Sequence, residues 1–211
     1  VTLVEKYHLV LVEDAAESLG TYYKGKQTGS FGKVSAISFN GNKIMTTGGG
    51  GAILTDDEAL ADYAKHITTT AKVPHRWEFD HDEVAFNYRL PNINAALGCA
   101  QLEKMPEFIK QKRALTAFYE ELVAPLEGVT LFKEPANSFS NYWLQTLILD
   151  DTLVRDDILA FLNNHGVMSR PIWTPLHKLK PYRDCPRADL STIERLNKKI
   201  INIPSTPIKE G

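Results

Sequence analysis

The order of apolar and polar residues along the first half of the chain predicts both strands and helices. Short apolar runs bounded by polar turns are typical of buried strands, and apolar residues spaced three or four apart are typical of helices. A proline inside such a helical pattern is expected to kink or break the helix, as at Pro106. The predicted strands are 9–12, 34–39 and 52–55, and the predicted helices are 58–66, 91–106 and 108–126.

The second half of the chain has a different order of elements, which indicates a separate small α+β unit. It contains predicted strands at 129–132, 142–149 and 167–170 and predicted helices at 153–165 and 191–201. The first strand, Leu9–Val12, is wholly apolar, as in the centre of a parallel sheet covered on both faces. We therefore predict an α/β protein in which residues 1–109 form part of a large, mostly parallel sheet domain and residues 110–211 a smaller α+β domain. A chain that opens on a central strand is expected to be the C-terminal part of a longer protein.

Composition narrows the class of protein. Hydrophobic residues make up 43% and charged residues 24% of the 211 residues, as in ordinary globular domains. A net charge of −2 gives no electrostatic case for binding nucleic acid or an anionic membrane. No apolar run approaches the roughly 20 residues of a membrane span, and two cysteines do not make a disulfide framework. These features favour a cytoplasmic protein.

One lysine stands in an unusual place. Lys43 follows the predicted strand 34–39 in a polar turn and is followed by four consecutive glycines, Gly48–Gly51. A lysine held in a pocket can lose its proton and attack a carbonyl to form a Schiff base. The plain alternative is a surface lysine between two strands. The glycines do not continue into the Gly-Lys-Ser/Thr of a nucleotide-binding P-loop, so a nucleotide loop is disfavoured.

An acid follows the first predicted strand. Asp14 lies at the carboxyl end of strand 9–12, where open α/β sheets bind ligands. It could equally be a helix cap, with Ala15–Glu17 as the first turn. A carboxylate at one strand end and a lysine after another are the two groups that pyridoxal phosphate requires, one for the pyridine nitrogen and one for the aldehyde.

Three motifs near these residues resemble a known family, and further motifs follow in the same order. The chain contains VEDAAESLG at 12–20, GSFG at 29–32, SFNGNK at 38–43, NYRL at 87–90, RP at 170–171 and PLH at 175–177. This series resembles the DegT/DnrJ/EryC1/StrS aminotransferases. The resemblance implies a fold-type-I enzyme that uses pyridoxal 5'-phosphate to aminate nucleotide-linked keto sugars.

The resemblance also implies residue roles. Lys43 matches the Schiff-base lysine, Asp14 the acid that pairs with the pyridinium, and Ser38 a hydroxyl that binds the cofactor phosphate. Asn87 matches an asparagine that reaches the cofactor of a neighbouring protomer, so the resemblance implies a homodimer with shared active sites. Position 17 commonly carries Gln or His beside the cofactor ring oxygen. Glu17 departs from that pattern, and a carboxylate there must be protonated or paired.

Two arginines and one histidine are candidates for substrate binding. Arg89 and Arg170 could bind a carboxylate or a diphosphate, or could be surface ion-pair partners. His177 could reach the sugar or be an ordinary loop histidine. The segment His75–Glu83 contains several possible metal ligands, but it lacks helical zinc spacing and is interpreted as a substrate-facing loop; no metal site is predicted.

The expected reaction transfers an amino group from glutamate to a nucleotide-linked keto sugar, with a UDP-linked 4-keto-6-deoxy-N-acetylhexosamine as the substrate class suggested by the resemblance. One alternative is a sugar dehydratase on the same fold. Those relatives carry histidine in place of the lysine, so Lys43 argues against it. Another is a catalytically silent fragment, because family members have a further N-terminal portion that carries part of the cofactor site.

Overall fold

The computed structural model describes residues 1–152 and 154–207. These residues form two compact units. The first comprises Val1–Ile109 together with Pro135–Trp143, and the second comprises Lys110–Glu134 together with the residues from Leu144 onward. The segment Pro135–Trp143 therefore belongs with the first unit, although a boundary at residue 110 would place it in the second. The division into domains of 1–109 and 110–211 stays a prediction.

The first unit is built around a three-stranded sheet in the order β1-β4-β5. Its strands and helices are α1 (Thr2–Lys6), β1 (Val12–Asp14), β2 (Tyr22–Tyr23), β3 (Lys26–Gln27), β4 (Val34–Ser38), β5 (Gly51–Leu54), α2 (Glu58–Thr68), α3 (Asn92–Glu103), the start of α4 (Met105–Val123) and, within the returning segment, β7 (Ser138–Phe139). β1 runs parallel to β4, with Asp14 opposite Ala36. β5 runs antiparallel to β4, with Gly51 opposite Ser38.

A second, smaller sheet of the first unit joins distant parts of the sequence. Its order is β3-β2-β7, and both pairings are antiparallel. Phe139 of β7 lies opposite Tyr22 of β2, and the two rings meet edge to face with centroids 6.3 Å apart. The segment that ends at Trp143 is thus anchored beside the turn that follows β1.

The second unit contains the later part of α4, β6 (Val129–Leu131), β8 (Gln145–Leu149), α5 (Arg155–Asn164), β9 (Arg170–Pro171), two 3-10 helices (Leu176–Lys178 and Lys180–Tyr182), α6 (Ser191–Asn197) and β10 (Ile200–Ile203). Four of these strands make an antiparallel sheet in the order β6-β8-β10-β9. Its core is centred on Leu149, Ile201 and Ile203, against which residues of α4 and α5 pack. Burial of this apolar face stabilises the unit.

The mixed α/β character of the chain is confirmed, but the mostly parallel sheet is wrong. Among the described residues, β1 and β4 are the one parallel pair, and every other pairing is antiparallel. The physical reason lies after β4, where the glycine-rich loop reverses the chain so that β5 returns alongside β4. The apolar run Leu9–Val12 is also not a covered central strand, since Val10 is 73% exposed and β1 begins only at Val12.

Helix and strand ends differ from the prediction where local chemistry decides them. Asp57 caps α2 by accepting the backbone N–H of Leu60 at 3.0 Å, and Pro106 lies in the first turn of α4, where a proline is tolerated. The predicted helix 191–201 is wrong at its end, because Ile200–Ile203 forms β10 in the centre of the sheet. The predicted helix start at Leu153 lies outside the described residues. No helix in the described parts of the chain is both long and apolar enough to cross a bilayer.

Candidate active site around Lys43

The carboxyl ends of β1 and β4 are neighbours, and each carries one of the predicted site residues. Asp14 is the last residue of β1 and is exposed, and one carboxylate oxygen accepts the backbone N–H of Ala16 at 3.1 Å. Ser38 is the last residue of β4, and its hydroxyl oxygen accepts the N–H of Asn40 at 3.3 Å. Strand ends of this kind are where open sheets place ligand-binding groups. The hydroxyl hydrogen of Ser38 is not used in that bond and can donate to an anion.

Lys43 is not a solvated surface lysine. Its side chain is only 11% exposed, and its ammonium forms an ion pair with the carboxylate of Glu17. The same ammonium lies 4.6 Å from the centre of the Trp143 ring, which is within range of a cation–π interaction. The structure therefore brings Lys43 and Glu17 together, and it adds Trp143, which the sequence prediction did not include. The pairing also meets the requirement that a carboxylate at position 17 be protonated or paired.

The glycine-rich loop after Lys43 is a structural reversal. The N–H of Thr47 donates to Phe39, and the N–H of Phe39 donates to Gly50, which closes the loop on the end of β4. Gly50 has φ +88°, and at Gly51 a Cβ would lie 2.3 Å from the Ile37 carbonyl oxygen. These positions therefore need glycine for close backbone approach and for a left-handed conformation. The loop fixes where β4 ends, and with it the position of Lys43.

Helix α3 supports that loop from the side. The amide of Asn94 donates to the carbonyl of Thr47 at 2.5 Å, and the N–H of Thr46 donates to the side chain of Gln101 at 3.3 Å. Gly98 belongs to the same contact, because a Cβ there would lie 2.9 Å from the Thr47 methyl group. Thr47 is 1% exposed, so the loop is held by packing as well as by hydrogen bonds.

Glu13 organises the other side of the site. Its carboxylate accepts three backbone N–H groups: Gly29 at 2.8 Å, Phe31 at 2.6 Å and Gly32 at 2.6 Å. Glu13 immediately precedes Asp14, so this contact ties the carboxyl end of β1 to the loop that leads into β4. Sequence reasoning named Asp14 at this strand end and assigned no role to Glu13.

The returning segment after β7 contributes residues that sequence reasoning assigned to the second domain. The amide of Asn141, which is 3% exposed, donates to the carbonyls of Glu17 at 2.9 Å and Leu19 at 3.0 Å. Its oxygen accepts the backbone N–H of Trp143 at 2.9 Å, and the indole N–H of Trp143 donates to the carbonyl of Asn42 at 2.5 Å. No local spacing relates these residues to Lys43, about a hundred positions earlier. The one sequence signal is an amide and an indole two residues apart, Asn141 and Trp143, at the start of the predicted strand 142–149.

The remaining first-unit candidates lie on the segment that follows α2. Asn87 is exposed and forms a β-bridge with Thr69. Arg89 is also exposed, and the described contacts do not join it to Lys43. The roles given to Asn87 and Arg89 by resemblance stay predictions.

Two candidates belong to the second unit. Arg170 is an exposed residue of β9, paired in register with Asn202 of β10. His177 lies in the first 3-10 helix with its side chain 14% exposed, and its Nε2 atom is 3.0 Å from a carboxylate oxygen of Glu194. His177 is therefore fixed by an acidic neighbour rather than free in a loop. Its predicted role towards a sugar stays a prediction.

One group of possible metal ligands occurs in the described residues, and it only partly overlaps the segment His75–Glu83. His66, Asp82 and Glu83 bring one ligand atom each within 4.8 Å of one another. Each of these residues already has a polar neighbour. His66 Nε2 lies 2.6 Å from an Asp82 oxygen and 3.8 Å from Glu83 Oε1, and the phenol of Tyr63 donates to Glu83 Oε2 at 3.2 Å. The Glu83 carboxylate raises the pKa of Tyr63 through that bond. The group is accounted for as a hydrogen-bonded cluster.

Together, a strand-end acid, a nearly buried lysine and a reversing glycine-rich loop define the class of an α/β protein with a lysine-centred site. The family model described as "DegT/DnrJ/EryC1/StrS aminotransferase family" matches residues 1–209. The chain belongs to this family.

Curated relatives agree with that membership. EpsN of Bacillus subtilis (strain 168), named "Putative pyridoxal phosphate-dependent aminotransferase EpsN", is 44% identical over 177 residues, which is 84% of this chain and 45% of EpsN. The GDP-perosamine synthase of Vibrio cholerae is 36% identical over 208 residues, covering 97% of this chain and 56% of the synthase. The chain thus spans about half the length of these curated relatives.

Solved structures show the same fold. The aminotransferase TlmJ of Streptoalloteichus hindustanus superimposes with a TM-score of 0.89 at 26% identity, covering 96% of this chain and 55% of TlmJ. PseC of Helicobacter pylori, an aminotransferase involved in the biosynthesis of pseudoaminic acid, gives a TM-score of 0.91 at 24% identity, covering 96% of this chain and 56% of PseC. At that identity PseC supports the fold alone.

Proposed function

We propose that this protein transfers an amino group from glutamate to a nucleotide-linked keto sugar, using pyridoxal 5'-phosphate. The proposal rests on the environment of Lys43. Its side chain is only 11% exposed and forms an ion pair with an acid, beside the carboxyl ends of two parallel strands. Family membership supports the reaction class, and the GDP-perosamine synthases among the relatives support a nucleotide-linked sugar. A UDP-linked 4-keto-6-deoxy-N-acetylhexosamine is the substrate that we would assay first.

The residues of this chain fit the cofactor. Asp14 is exposed and Ala16 engages one of its oxygens, which leaves carboxylate surface for a pyridinium nitrogen. Ser38 offers a hydroxyl donor for a phosphate, and Lys43 an amine. When bound, pyridoxal phosphate supplies an aldehyde for the lysine and a ring that withdraws electrons from the substrate carbon.

Lys43 has two tasks in this proposal. Its amine would hold the cofactor through the aldehyde and, once freed by the amino donor, would move a proton to and from the substrate carbon. The Asp14 carboxylate would keep the pyridine nitrogen protonated. Glu17, as the ion-pair partner of Lys43, would balance the positive charge at the lysine nitrogen.

We also propose binding roles for the other candidate residues. Asn87, exposed on the segment after α2, would reach the cofactor phosphate of a second copy of the protein, which makes the enzyme a homodimer with shared sites. Arg89, Arg170 and His177 would bind the anionic or sugar parts of the substrates, since arginine binds carboxylates and phosphates in a bidentate manner.

Borohydride trapping tests the proposal directly. The intact protein is incubated with pyridoxal phosphate, reduced with borohydride and digested, and modified peptides are mapped by mass spectrometry. We expect one pyridoxyl group, on Lys43. Lys33 is the matched control, because it is also ion-paired, with Asp57, but its side chain is 52% exposed; Lys33→Ala should leave the labelling unchanged.

Activity then separates the reaction classes. Glutamate-dependent amination of the keto sugar is expected for the wild type and is expected to fall at least a thousandfold in Lys43→Ala, because both tasks of the lysine are lost. Dehydration of the sugar without net amination would favour the dehydratase alternative. Absence of labelling in the intact protein would favour a silent protein, and amination that survives Lys43→Ala would overturn the mechanism.

A further inference from the structure

The Lys43 side chain has a partner that the family assignment of residues does not include. The indole ring of Trp143 covers the lysine ammonium at a distance of 4.6 Å, measured from Nζ to the ring centre. The indole N–H donates to the carbonyl of Asn42, the residue immediately before the lysine. Trp143 therefore touches both the reactive end of Lys43 and the backbone that carries it.

The backbone around Trp143 is built to hold that orientation. Tyr142, the preceding residue, has φ +45°, a left-handed conformation that is unfavourable for a bulky side chain. Such backbone persists only where surrounding contacts impose it. Those contacts come from Asn141, whose oxygen accepts the Trp143 N–H and whose amide donates to the carbonyls of Glu17 and Leu19. The pairing of β7 with β2 anchors the start of the same segment.

Glu17 and Trp143 are thus linked through one buried amide and meet the same ammonium. A carboxylate alone would leave a long, flexible lysine side chain able to rotate about several bonds. An aromatic face adds attraction for the ammonium and excludes water from one side. Preorganisation of this kind lowers the cost of reaching the reactive geometry.

We propose that Trp143 is a positioning residue that holds the Lys43 amine in the orientation from which it attacks a carbonyl. The inference rests on the proposed function, in which Lys43 is the nucleophile. Trp143 acts through Lys43, so its removal changes how fast the lysine reacts rather than which group reacts.

The contact is tested without any cofactor by tryptophan fluorescence. In the variant Trp77→Phe/Trp173→Phe, Trp143 is the only tryptophan of this chain, since the sequence contains three. We expect Lys43→Met in that background to change the emission intensity or wavelength of Trp143, because the charge over the ring is removed. The exposed Lys33→Met is the matched control and should leave the emission unchanged.

The positioning role is tested by the rate of borohydride-trapped labelling of Lys43 at saturating pyridoxal phosphate. We expect Trp143→Ala to slow the maximal rate about tenfold, because the lysine side chain is no longer held and samples more rotamers before its amine attacks. Trp143→Phe should restore most of the rate, because a phenyl face also attracts the lysine ammonium and keeps the side chain in place until the proton leaves. Trp143→Leu keeps apolar bulk without that face and should not restore it. Trp173→Ala, which removes an indole that is 68% exposed, is the control for a general effect of losing a tryptophan.

The outcomes are distinguishable. A maximal labelling rate in Trp143→Ala equal to that of the wild type would overturn the positioning role while the proposed function stands. Equal rates for the Phe and Leu variants would show that bulk alone matters and would overturn the cation–π part. If the wild-type protein is not labelled at Lys43, the proposed function fails, and an unchanged Trp143 emission in Lys43→Met would independently remove the contact.

Discussion

Replacing Glu13 by glutamine should loosen the loop between β3 and β4. In the native structure one carboxylate oxygen accepts the N–H of Gly29, and the other accepts the N–H groups of Phe31 and Gly32. Glutamine has a single acceptor oxygen, so it can keep at most the last two bonds, and it keeps them as neutral ones. The amide nitrogen would then face the N–H of Gly29.

The magnitude follows from these three bonds. Hydrogen bonds to a charged acceptor contribute about 1.5–3 kcal/mol each, and neutral ones about 1 kcal/mol. Three charged bonds exchanged for two neutral ones would lose several kcal/mol if no water could reach the loop. Glu13 is only half-buried, so water replaces part of the loss. We therefore expect about 2–3 kcal/mol for opening of this loop.

Amide hydrogen exchange measures this opening locally. A loss of about 2–3 kcal/mol corresponds to roughly 30- to 150-fold faster exchange at Phe31 and Gly32. Glu58→Gln is the matched control, since it makes the same chemical change on an exposed residue at the start of α2. Exchange within about threefold of the wild type at both amides in Glu13→Gln would refute the view that the carboxylate holds the loop.

Three further changes probe other parts of the structure. Asn141, which is 3% exposed, bonds two carbonyls and one N–H, so Asn141→Ala should lower the unfolding free energy by about 2–4 kcal/mol. A loss under about 0.5 kcal/mol would contradict the view that Asn141 holds the segment before Trp143 in place. Gly20→Ala places an L-residue at φ +79° with its Cβ 2.5 Å from the Ile109 methyl group. It should lower the unfolding free energy by about 1–3 kcal/mol, measured by thermal unfolding. An unchanged melting midpoint would show that the turn relaxes freely. Burial lowers the pKa of Lys112 from 10.5 to about 8, so the unfolded state binds more protons between these values. The unfolding free energy should therefore rise by about 1–2 kcal/mol as the pH goes from about 8 to about 10, after allowance for the part of the side chain that water reaches. Lys112→Met should flatten this rise. An equal rise in the variant would mean that other groups cause it.

Local patterns predicted much of the chain because they depend on near neighbours. Apolar runs bounded by polar turns located β4, β5 and α2 to within a few residues. The same reasoning failed for β10, because the apolar residues of Ile200–Ile203 continue the helical spacing of α6 and only the pairing with β8 decides that they are a strand. The prediction of parallel strands failed for a related reason, since apolar content does not show whether the next strand runs parallel or antiparallel to the one before it.

The sequence by itself determined that Lys43 follows a buried strand and precedes four glycines, and that Asp14 ends an earlier strand, because both facts follow from short-range order along the chain. Only the tertiary structure decided what surrounds the lysine. Glu17 lies 26 positions before Lys43, and Trp143 lies about a hundred positions after it, yet an ion pair and a ring contact bring both to one ammonium. Contacts across such separations form only when loop closure is repaid by packing of the whole unit, so no spacing rule reveals them beforehand.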